Sequence, residues 1–380
     1  MKNDNTSVDI DFAEAAVPHY ARRGIVTMFM IMLGFTFFSA SMWVGKELAD
    51  GLDFGGFIIS MIIGGLILSL YTGLLGYVGA ETGMSLDLLA RKAFGVKGSY
   101  LPSAMISFTQ IGWFGVGIAM FAIPVANELL GGSTAAEWVL VIIAGVCMTA
   151  SAYFGIKSLT LISYIAVPLV AILGTVAMVM AVKQGNGTLI DQFAKSSGTL
   201  TVVGGAGLVI GSFVSGGTAT PNFSRFARNG KVGAITTVIA FFIGNSLMFF
   251  FGGISSVYVG GNDIFEVMIN LGLFYLAILV LGLNIWTTND NALYTAGLRP
   301  EKEADGADIR YCRHGAVGLA ILELHRLAEY PQLYAAAGRH YSGDELLYEP
   351  REVQRHGDHR NGELVCGYRR SAGRCGGKSG

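Results

Sequence analysis

Eight long apolar runs, separated by short polar turns, constrain the fold of this 380-residue chain more than any other feature. They lie at about 25–47, 54–79, 101–127, 136–154, 158–182, 201–222, 233–256 and 265–297. A hydrocarbon core of about 30 Å needs roughly 20 apolar residues per helix. Eight such runs, nearly free of charge at their centres, are hard to place in water. The sequence therefore predicts an all-α membrane protein with about eight transmembrane helices.

Charged residues divide the chain into two unlike parts near residue 299. Of its 26 Lys/Arg and 27 Asp/Glu, 13 and 12 lie after residue 298. The whole chain has only 14% charged residues, whereas a soluble domain has about 25%. We therefore predict a polar N-terminal segment at 1–24, a transmembrane domain at 25–298, and a polar, irregular and disordered tail at 299–380.

Basic residues outside the apolar runs predict the orientation in the membrane. With eight spans, ten fall on the side of the N-terminus and three on the other side. Cytoplasmic loops carry the excess of Lys and Arg, so the N-terminus is expected in the cytoplasm and the chain in a bacterial inner membrane. The ten are Lys2, Arg22, Arg23, Arg91, Lys92, Lys97, Lys157, Arg225, Arg228 and Lys231; the three are Lys46, Lys183 and Lys195.

Enzyme motifs do not occur in the apolar region. It has no phosphate-binding Walker sequence, no GxSxG and no His/Cys spacing typical of a metal centre. The net charge of −1 gives no reason to expect nucleic acid as a partner. We predict that the protein is not an enzyme, has no cofactor and no obligate protein partner, and interacts with the lipid bilayer.

Glycine and hydroxyl residues interrupt the first and sixth apolar runs near mid-membrane. The first reads LGFTFFSAS at 33–41, and the sixth reads GSFVSGGT at 211–218. Such segments at corresponding places in two halves of a chain are typical of a transporter site between inverted repeats. An unwound turn in each would expose backbone groups to a substrate or a cation, which is tolerated only beside a cavity. Close helix packing through small residues is the alternative explanation.

Polar side chains also interrupt the third and eighth runs. Gln110 and Trp113 lie three residues apart, on one face of a helix, and suit a planar ligand that forms hydrogen bonds. The eighth run reads NIWTTNDN at 284–291, which would be expensive to expose to lipid. Its adjacent threonines supply oxygen atoms of the kind that a small cation prefers. Asp290 is the one plausible buried carboxylate, with a helix-end cap as its alternative role.

Five long segments, in order, resemble the cytosine permeases of the nucleobase–cation symporter-1 family, and the resemblance covers about 17–298. They are GFTFFSASMW at 34–43, TQIGWFGVG at 109–117, VIGSFVS at 209–215, FIGNSLMF at 242–249 and LGLNIWTTNDNALY at 281–294. The resemblance implies a LeuT-like fold of two five-helix inverted repeats followed by two further helices. It also implies import of cytosine by cation symport.

The resemblance further implies a base site and a sodium site. The base would stack between Trp113 and Phe213, with Phe38 closing the pocket. Hydrogen bonds to its edges would come from Gln110, Ser212, Ser215 and Asn289. Sodium would be held by the carbonyl oxygens of Gly34, Phe37 and Asn284 and the hydroxyls of Thr287 and Thr288. Protons stay open as the coupling ion because Asp290 could titrate, and the substrate could be another purine, pyrimidine or hydantoin.

The tail departs from the family, which would continue with four more membrane helices. Reading the codons one nucleotide later permits Pro-Pro-Pro-Val-Gly at 335–340, an apolar stretch at 340–345 and Met-Asn-Arg-Glu at 348–352. The family has such segments in this order, so we interpret the tail as translation in the wrong frame. The bundle would then be incomplete and this product is expected to be inactive, a non-transporting membrane fragment being the alternative function.

Overall fold

The computed structural model describes residues 12–13 and 15–297. The predictions on the tail at 299–380 therefore lie outside the described residues. Apart from short 3-10 and π segments and one isolated bridge, the described part is built from helices. These are α1 Ile25–Thr36, α2 Ser39–Gly51, α3 Phe54–Thr82, α4 Leu86–Leu129, α5 Thr134–Tyr153, α6 Ile156–Gln184, α7 Leu189–Phe193, α8 Val202–Thr218, α9 Pro221–Ser224, α10 Gly230–Ile239, α11 Asn245–Val259, α12 Ile264–Asn270 and α13 Phe274–Ala296.

Each predicted apolar run contains one helix or a consecutive pair of helices. Within the described residues, five helical stretches are long and apolar enough to cross a membrane, and a sixth is added if α1 and α2 form one broken span. The α8 helix is apolar but shorter, with 17 residues. An all-helical membrane bundle is therefore confirmed, whereas the number of eight spans stays a prediction.

The first apolar run is broken at its centre, as its glycine and hydroxyl pattern predicted. Here α1 ends at Thr36, Phe37 and Phe38 are extended, and α2 starts at Ser39. The two helices are bent by 58° relative to each other. The last carbonyl groups of α1 have no partner within that helix, so the break presents backbone oxygen atoms inside the bundle.

The unwound turn expected within 211–218 is wrong, because α8 continues as an α-helix to Thr218. At least one of its glycines serves helix packing instead: a Cβ atom added at Gly217 would lie 2.6 Å from the side chain of Thr72 on α3. The chain leaves the helix only in the turn at 219–220 that precedes α9. The alternative explanation of close packing therefore holds for the sixth run.

Glycines with positive φ angles shift the bounds of two other runs. The run at 265–297 contains two helices, since Gly272 with a φ of +76° separates α12 from α13. The third run starts earlier than predicted, at Leu86, but Gly95 with a φ of +72° interrupts its helical geometry. Only glycine adopts such angles at little cost, so these positions bend the chain.

The helices form two packed groups. The first helix group comprises α1, α2, α3, α8, α10 and α11, in which α3 packs on α8 and α10, and α2 packs on α11. The second helix group comprises α4, α5 and α13, with α13 packed on both of the others. The α6 helix contacts α1 and α11 on one side and α13 on the other. The break in the first apolar run lies where the two groups meet, since α1 also packs on α13.

The contact between α2 and α11 brings two backbones together. A Cβ atom added at Gly252 would overlap the Met42 carbonyl oxygen and lie 2.8 Å from the Met42 Cα. One added at Gly45 would lie 2.7 Å from the Cα of Phe249. Small residues permit this approach, which is a common means of helix association in membranes. The second half of the broken helix is thereby fixed to α11.

The described part of the N-terminal segment is tied to the helices rather than free. The backbone N–H of Val17 donates to the Gly83 carbonyl at 2.8 Å, and Arg23 forms a parallel bridge with Ala227. Arg225, which the charge pattern placed in a loop, is fully buried and donates to the Phe12 carbonyl at 2.7 Å and the Tyr294 hydroxyl at 3.1 Å. The segment therefore covers one end of the bundle.

Candidate functional site

A cavity lies between the two helix groups, with about 310 Å³ of space between the lining atoms, a volume that includes its open side. All seven residues predicted to bind a base line it, and their roles stay predictions. The lining residues are Phe35, Phe38, Gln110, Trp113, Ser212, Phe213, Ser215, Gly216, Thr288, Asn289 and Ala292.

Aromatic rings form the apolar part of this lining. Trp113 on α4 contacts Phe38 edge to face, with ring centroids 5.7 Å apart and an interplanar angle of 82°. On the opposite helix group, Phe213 is held edge-on by Phe35 at 5.2 Å and by Phe241 at 5.5 Å. Trp113 and Phe213 are the two rings predicted to stack on the base. These contacts with other aromatic side chains fix the planes of both rings.

Gln110 supplies a polar group that the protein itself does not satisfy. Its side chain is buried, with 2% exposure, and its Nε2 has no hydrogen-bond partner among the described residues. Leaving a buried donor unpaired costs about 1–3 kcal/mol. An amide in this state, at the wall of a cavity, is typical of a group that pairs with a ligand.

The two serines of α8 face the cavity from the first helix group. The Ser212 hydroxyl donates to the Val209 carbonyl of its own helix at 2.8 Å. Its single hydrogen is then used, so its oxygen is left as an acceptor. Ser215 lies three residues further on and is half-buried, on the same face of the helix.

Asn289 completes the polar lining from the second helix group. Its side chain is 1% exposed, and its Nδ2 donates to the Phe114 carbonyl at 3.1 Å and approaches the sulfur of Met148 at 3.4 Å. The carbonyl oxygen Oδ1 is the remaining polar atom of this side chain. Donor and acceptor groups from α4, α8 and α13 thus surround one cavity.

Oxygen atoms predicted to hold sodium cluster at the break in the first apolar run. The Thr288 hydroxyl lies 2.8 Å from the Phe37 carbonyl oxygen and 3.4 Å from that of Asn284. The Thr287 hydroxyl lies 3.0 Å from the same Asn284 carbonyl oxygen. Hard cations are bound by oxygen atoms of this kind. The donor set therefore fits a small cation, with contributions from both helix groups.

Gly34 and Asn284 are held by contacts of their own. Gly34 lies in the last turn of α1 against α6, where an added Cβ atom would lie 3.1 Å from the Cβ of Ser163. The Asn284 side chain accepts a hydrogen bond from Ser39 at 2.9 Å, which ties the start of α2 to α13. No contact places the Gly34 carbonyl oxygen in the cluster, and its role as a ligand stays a prediction.

Asp290 is fully buried, and its Oδ1 accepts a hydrogen bond from Ser151 at 2.6 Å. Trp286 donates to the same Ser151 hydroxyl at 2.8 Å, so this contact joins α13 to α5. Asp290 lies six residues before the end of α13 at Ala296. The alternative role as a helix-end cap is therefore wrong.

Three lining residues were not predicted from the sequence as part of either the base site or the cation site: Phe35, Gly216 and Ala292. Phe35 lies inside the segment at 34–43 that was singled out, but the sequence does not show which of its aromatic residues turn inward. Gly216 and Ala292 carry no functional group, so only their positions mark them. Thr288 was assigned to the cation and lines the base cavity as well.

A broken helix, a mixed aromatic and amide cavity and an oxygen cluster, all between two helix groups, are consistent with a membrane transporter of LeuT-like fold. The chain belongs to the family described as permeases for cytosine and purines, uracil, thiamine and allantoin, which residues 16–301 match. It is therefore a multi-pass membrane protein of the nucleobase–cation symporter-1 type.

Similar proteins support both the family and the fold. The cytosine permease of Escherichia coli K12 is 48% identical over 293 residues, which are 77% of this chain and 69% of that protein. The structure of Mhp1, a nucleobase-cation-symport-1 transporter with bromovinylhydantoin bound, gives a TM-score of 0.70 at 16% identity over 83% of this chain and 74% of that one. A Na⁺-coupled sialic acid symporter gives 0.62 at 16% identity, over 89% and 80%.

Proposed function

We propose that this chain is a cytosine permease whose bound base lies between Trp113 and Phe213. The observation that carries this proposal is the cavity between the helix groups, in which the predicted base contacts meet and the amide of Gln110 has no partner. The cytosine permease of Escherichia coli, at 48% identity, supports the choice of substrate.

Recognition of the base follows from two properties of the lining. Stacking on aromatic rings contributes about 1–3 kcal/mol per base and is tolerant of base identity. Selection therefore falls to the hydrogen-bonding groups, where Gln110 offers a donor and Asn289 and Ser212 offer acceptors. A base with the wrong edge would leave these buried groups unpaired, and such sites discriminate strongly.

Sodium is the proposed coupling ion, with protons as the alternative. Neutral oxygen atoms of Phe37, Asn284, Thr287 and Thr288 lie close together without a carboxylate among them. An ion held there would join the end of α1 to α13. Because Thr288 also lines the base cavity, ion binding would position one wall of the base site and raise its affinity.

Alternating access would follow from movement of one helix group against the other. Phe38, Ser212 and Phe213 belong to the first helix group, whereas Gln110, Trp113 and Asn289 belong to the second. A ligand that contacts both groups stabilises the conformations in which they are closed around it. We infer transport across a bacterial inner membrane with a cytoplasmic N-terminus, on the basis of the basic residues around the apolar runs.

Binding of radiolabelled cytosine to the purified chain, with and without sodium, tests the site directly. We expect saturable binding that sodium strengthens and that unlabelled uracil and hydantoin displace less well than cytosine. Preferential displacement by another base or by hydantoin would reassign the substrate within the family. Absence of binding to any nucleobase at either sodium concentration would refute the proposed function.

Transport is tested separately from binding, by cytosine uptake into cells that produce the chain. If the tail is out of frame, we expect binding without uptake, and uptake once the frame beyond residue 298 is restored. Uptake by the unaltered chain would refute its expected inactivity. An intact gene whose tail cannot be reread into the family's segments would refute the frameshift.

A further inference from the structure

The side chain of Asn289 is held in one orientation by two hydrogen-bond acceptors. Its Nδ2 has two hydrogens, and two acceptors lie in reach: the Phe114 carbonyl oxygen at 3.1 Å and the Met148 sulfur at 3.4 Å. Turning the amide over would bring its oxygen against both of these acceptors. The amide therefore keeps its nitrogen towards α4 and α5 and leaves only Oδ1 for a ligand.

Gly117 provides the space in which this amide lies. A Cβ atom added there would overlap Oδ1 of Asn289 and lie 2.8 Å from its Cγ and 2.9 Å from its Nδ2. Contacts below about 3 Å to all three amide atoms leave no position for the side chain as it stands. Gly117 is buried on α4, one turn beyond Phe114, so the same turn supplies both the space and the carbonyl group.

We propose that Gly117 and Met148 are positioning residues that set the amide orientation of Asn289, so that the site accepts only a base with an N–H donor at that edge. This inference rests on the proposed function, in which Asn289 contacts the base. Neither residue touches the ligand itself, since neither lines the cavity. Their effect on affinity and selectivity therefore passes through Asn289.

A coupling experiment separates positioning from a general packing role. Base affinity is measured for the full-length purified chain with Gly117→Ala, with Asn289→Ala and with both. Gly112→Ala is the matched control, because it lies on the same helix and a Cβ atom there meets nothing within 4 Å. Tryptophan fluorescence and thermal unfolding of each variant report whether it is folded.

We expect Gly117→Ala to weaken cytosine binding by roughly tenfold or more, the size of one lost hydrogen bond to a buried ligand. In the Asn289→Ala background the same substitution should change the affinity by less than about twofold, because the group it displaces is gone. Gly112→Ala should leave the affinity unchanged in both backgrounds. Equal losses from Gly117→Ala in both backgrounds would overturn the proposal.

Met148→Leu keeps the inference testable if Gly117→Ala does not fold. Leucine is similar in volume but has no sulfur acceptor, so one Asn289 hydrogen loses its partner and the Phe114 carbonyl alone opposes turning of the amide. We expect a smaller preference for cytosine over analogues that carry an acceptor in place of the exocyclic amine, such as uracil. Met105→Leu is the control, because Met105 is 61% exposed and should keep the preference.

The outcomes distinguish this inference from the proposed function. If the unaltered chain binds no nucleobase, the proposed function fails, whatever the variants do. If it binds cytosine and Met148→Leu keeps the full preference over uracil, the positioning role of Met148 is refuted while the base site stands. A change in preference that persists in the Asn289→Ala background would refute the route through Asn289.

Discussion

The side chain of Gln110 is expected to destabilise the ligand-free protein and to stabilise its complex with the base. Its amide nitrogen is buried without a partner, at 2% exposure of the side chain. Leucine has a similar shape and no polar atom, so Gln110→Leu removes an unpaired donor that costs about 1–3 kcal/mol. The same substitution removes one hydrogen bond to the bound base. Stability of the ligand-free protein should therefore rise while base affinity falls.

Both effects are measurable on the same preparation. We expect the unfolding temperature without ligand to rise by about 2 °C or more, and cytosine affinity to fall by about 5–150-fold, which corresponds to about 1–3 kcal/mol. Gln184→Leu, at an exposed position near the end of α6, is the control and should change neither quantity. Lower stability in Gln110→Leu would contradict the reasoning, because the amide would then have a partner in the empty protein.

Three further predictions concern the stack, the cation and the helix contact. Trp113→Ala should weaken cytosine binding by about 5–150-fold, as expected for a lost stacking partner, and leave membrane insertion intact. Trp138→Ala on α5 is the control. Unchanged affinity in Trp113→Ala would exclude the stack. Thr288→Val should abolish the sodium-induced rise in base affinity, which for coupled sites is about 5–150-fold. Titration of base binding with sodium checks this. A rise that persists in Thr288→Val would show that Thr288 is not a cation ligand. Gly252→Ala should destabilise the protein by about 1–3 kcal/mol through the overlap with α2. Gly207→Ala is the control and should be neutral or slightly stabilising, because a Cβ atom there meets nothing within 4 Å. Equal melting temperatures of Gly252→Ala and the unaltered chain would refute the backbone contact.

The polar residues of the predicted site stand out within apolar surroundings, whereas their individual roles and the aromatic partners came from the resemblance to the family. Gln110, Asn284 and Asn289 are conspicuous in runs that would otherwise cross lipid, and burial of such groups demands partners or a cavity. The sequence also predicted an unwound turn within 33–41 from its glycine and hydroxyl residues, and the structure places the break at Phe37 and Phe38. Residues without a functional group, such as Gly117, gave no comparable signal.

Some expectations failed because one residue pattern serves two purposes. Glycines and hydroxyls favour an unwound turn beside a cavity and equally favour close helix packing. In the first apolar run the pattern accompanies a break, whereas in α8 the helix is continuous and Gly217 packs against Thr72. The choice depends on which helix lies opposite, and that is a property of the assembled bundle.

The sequence by itself determined that the region at 25–298 is a helical membrane bundle with polar residues inside it, because apolar length and the cost of polar groups in lipid are local properties of the chain. Only the tertiary structure decided that Gln110, Phe213 and Asn289 line one cavity and that the Asn289 amide points its nitrogen away from it. These arrangements depend on contacts between segments more than 70 residues apart, and the spacing of residues along a single helix does not specify them.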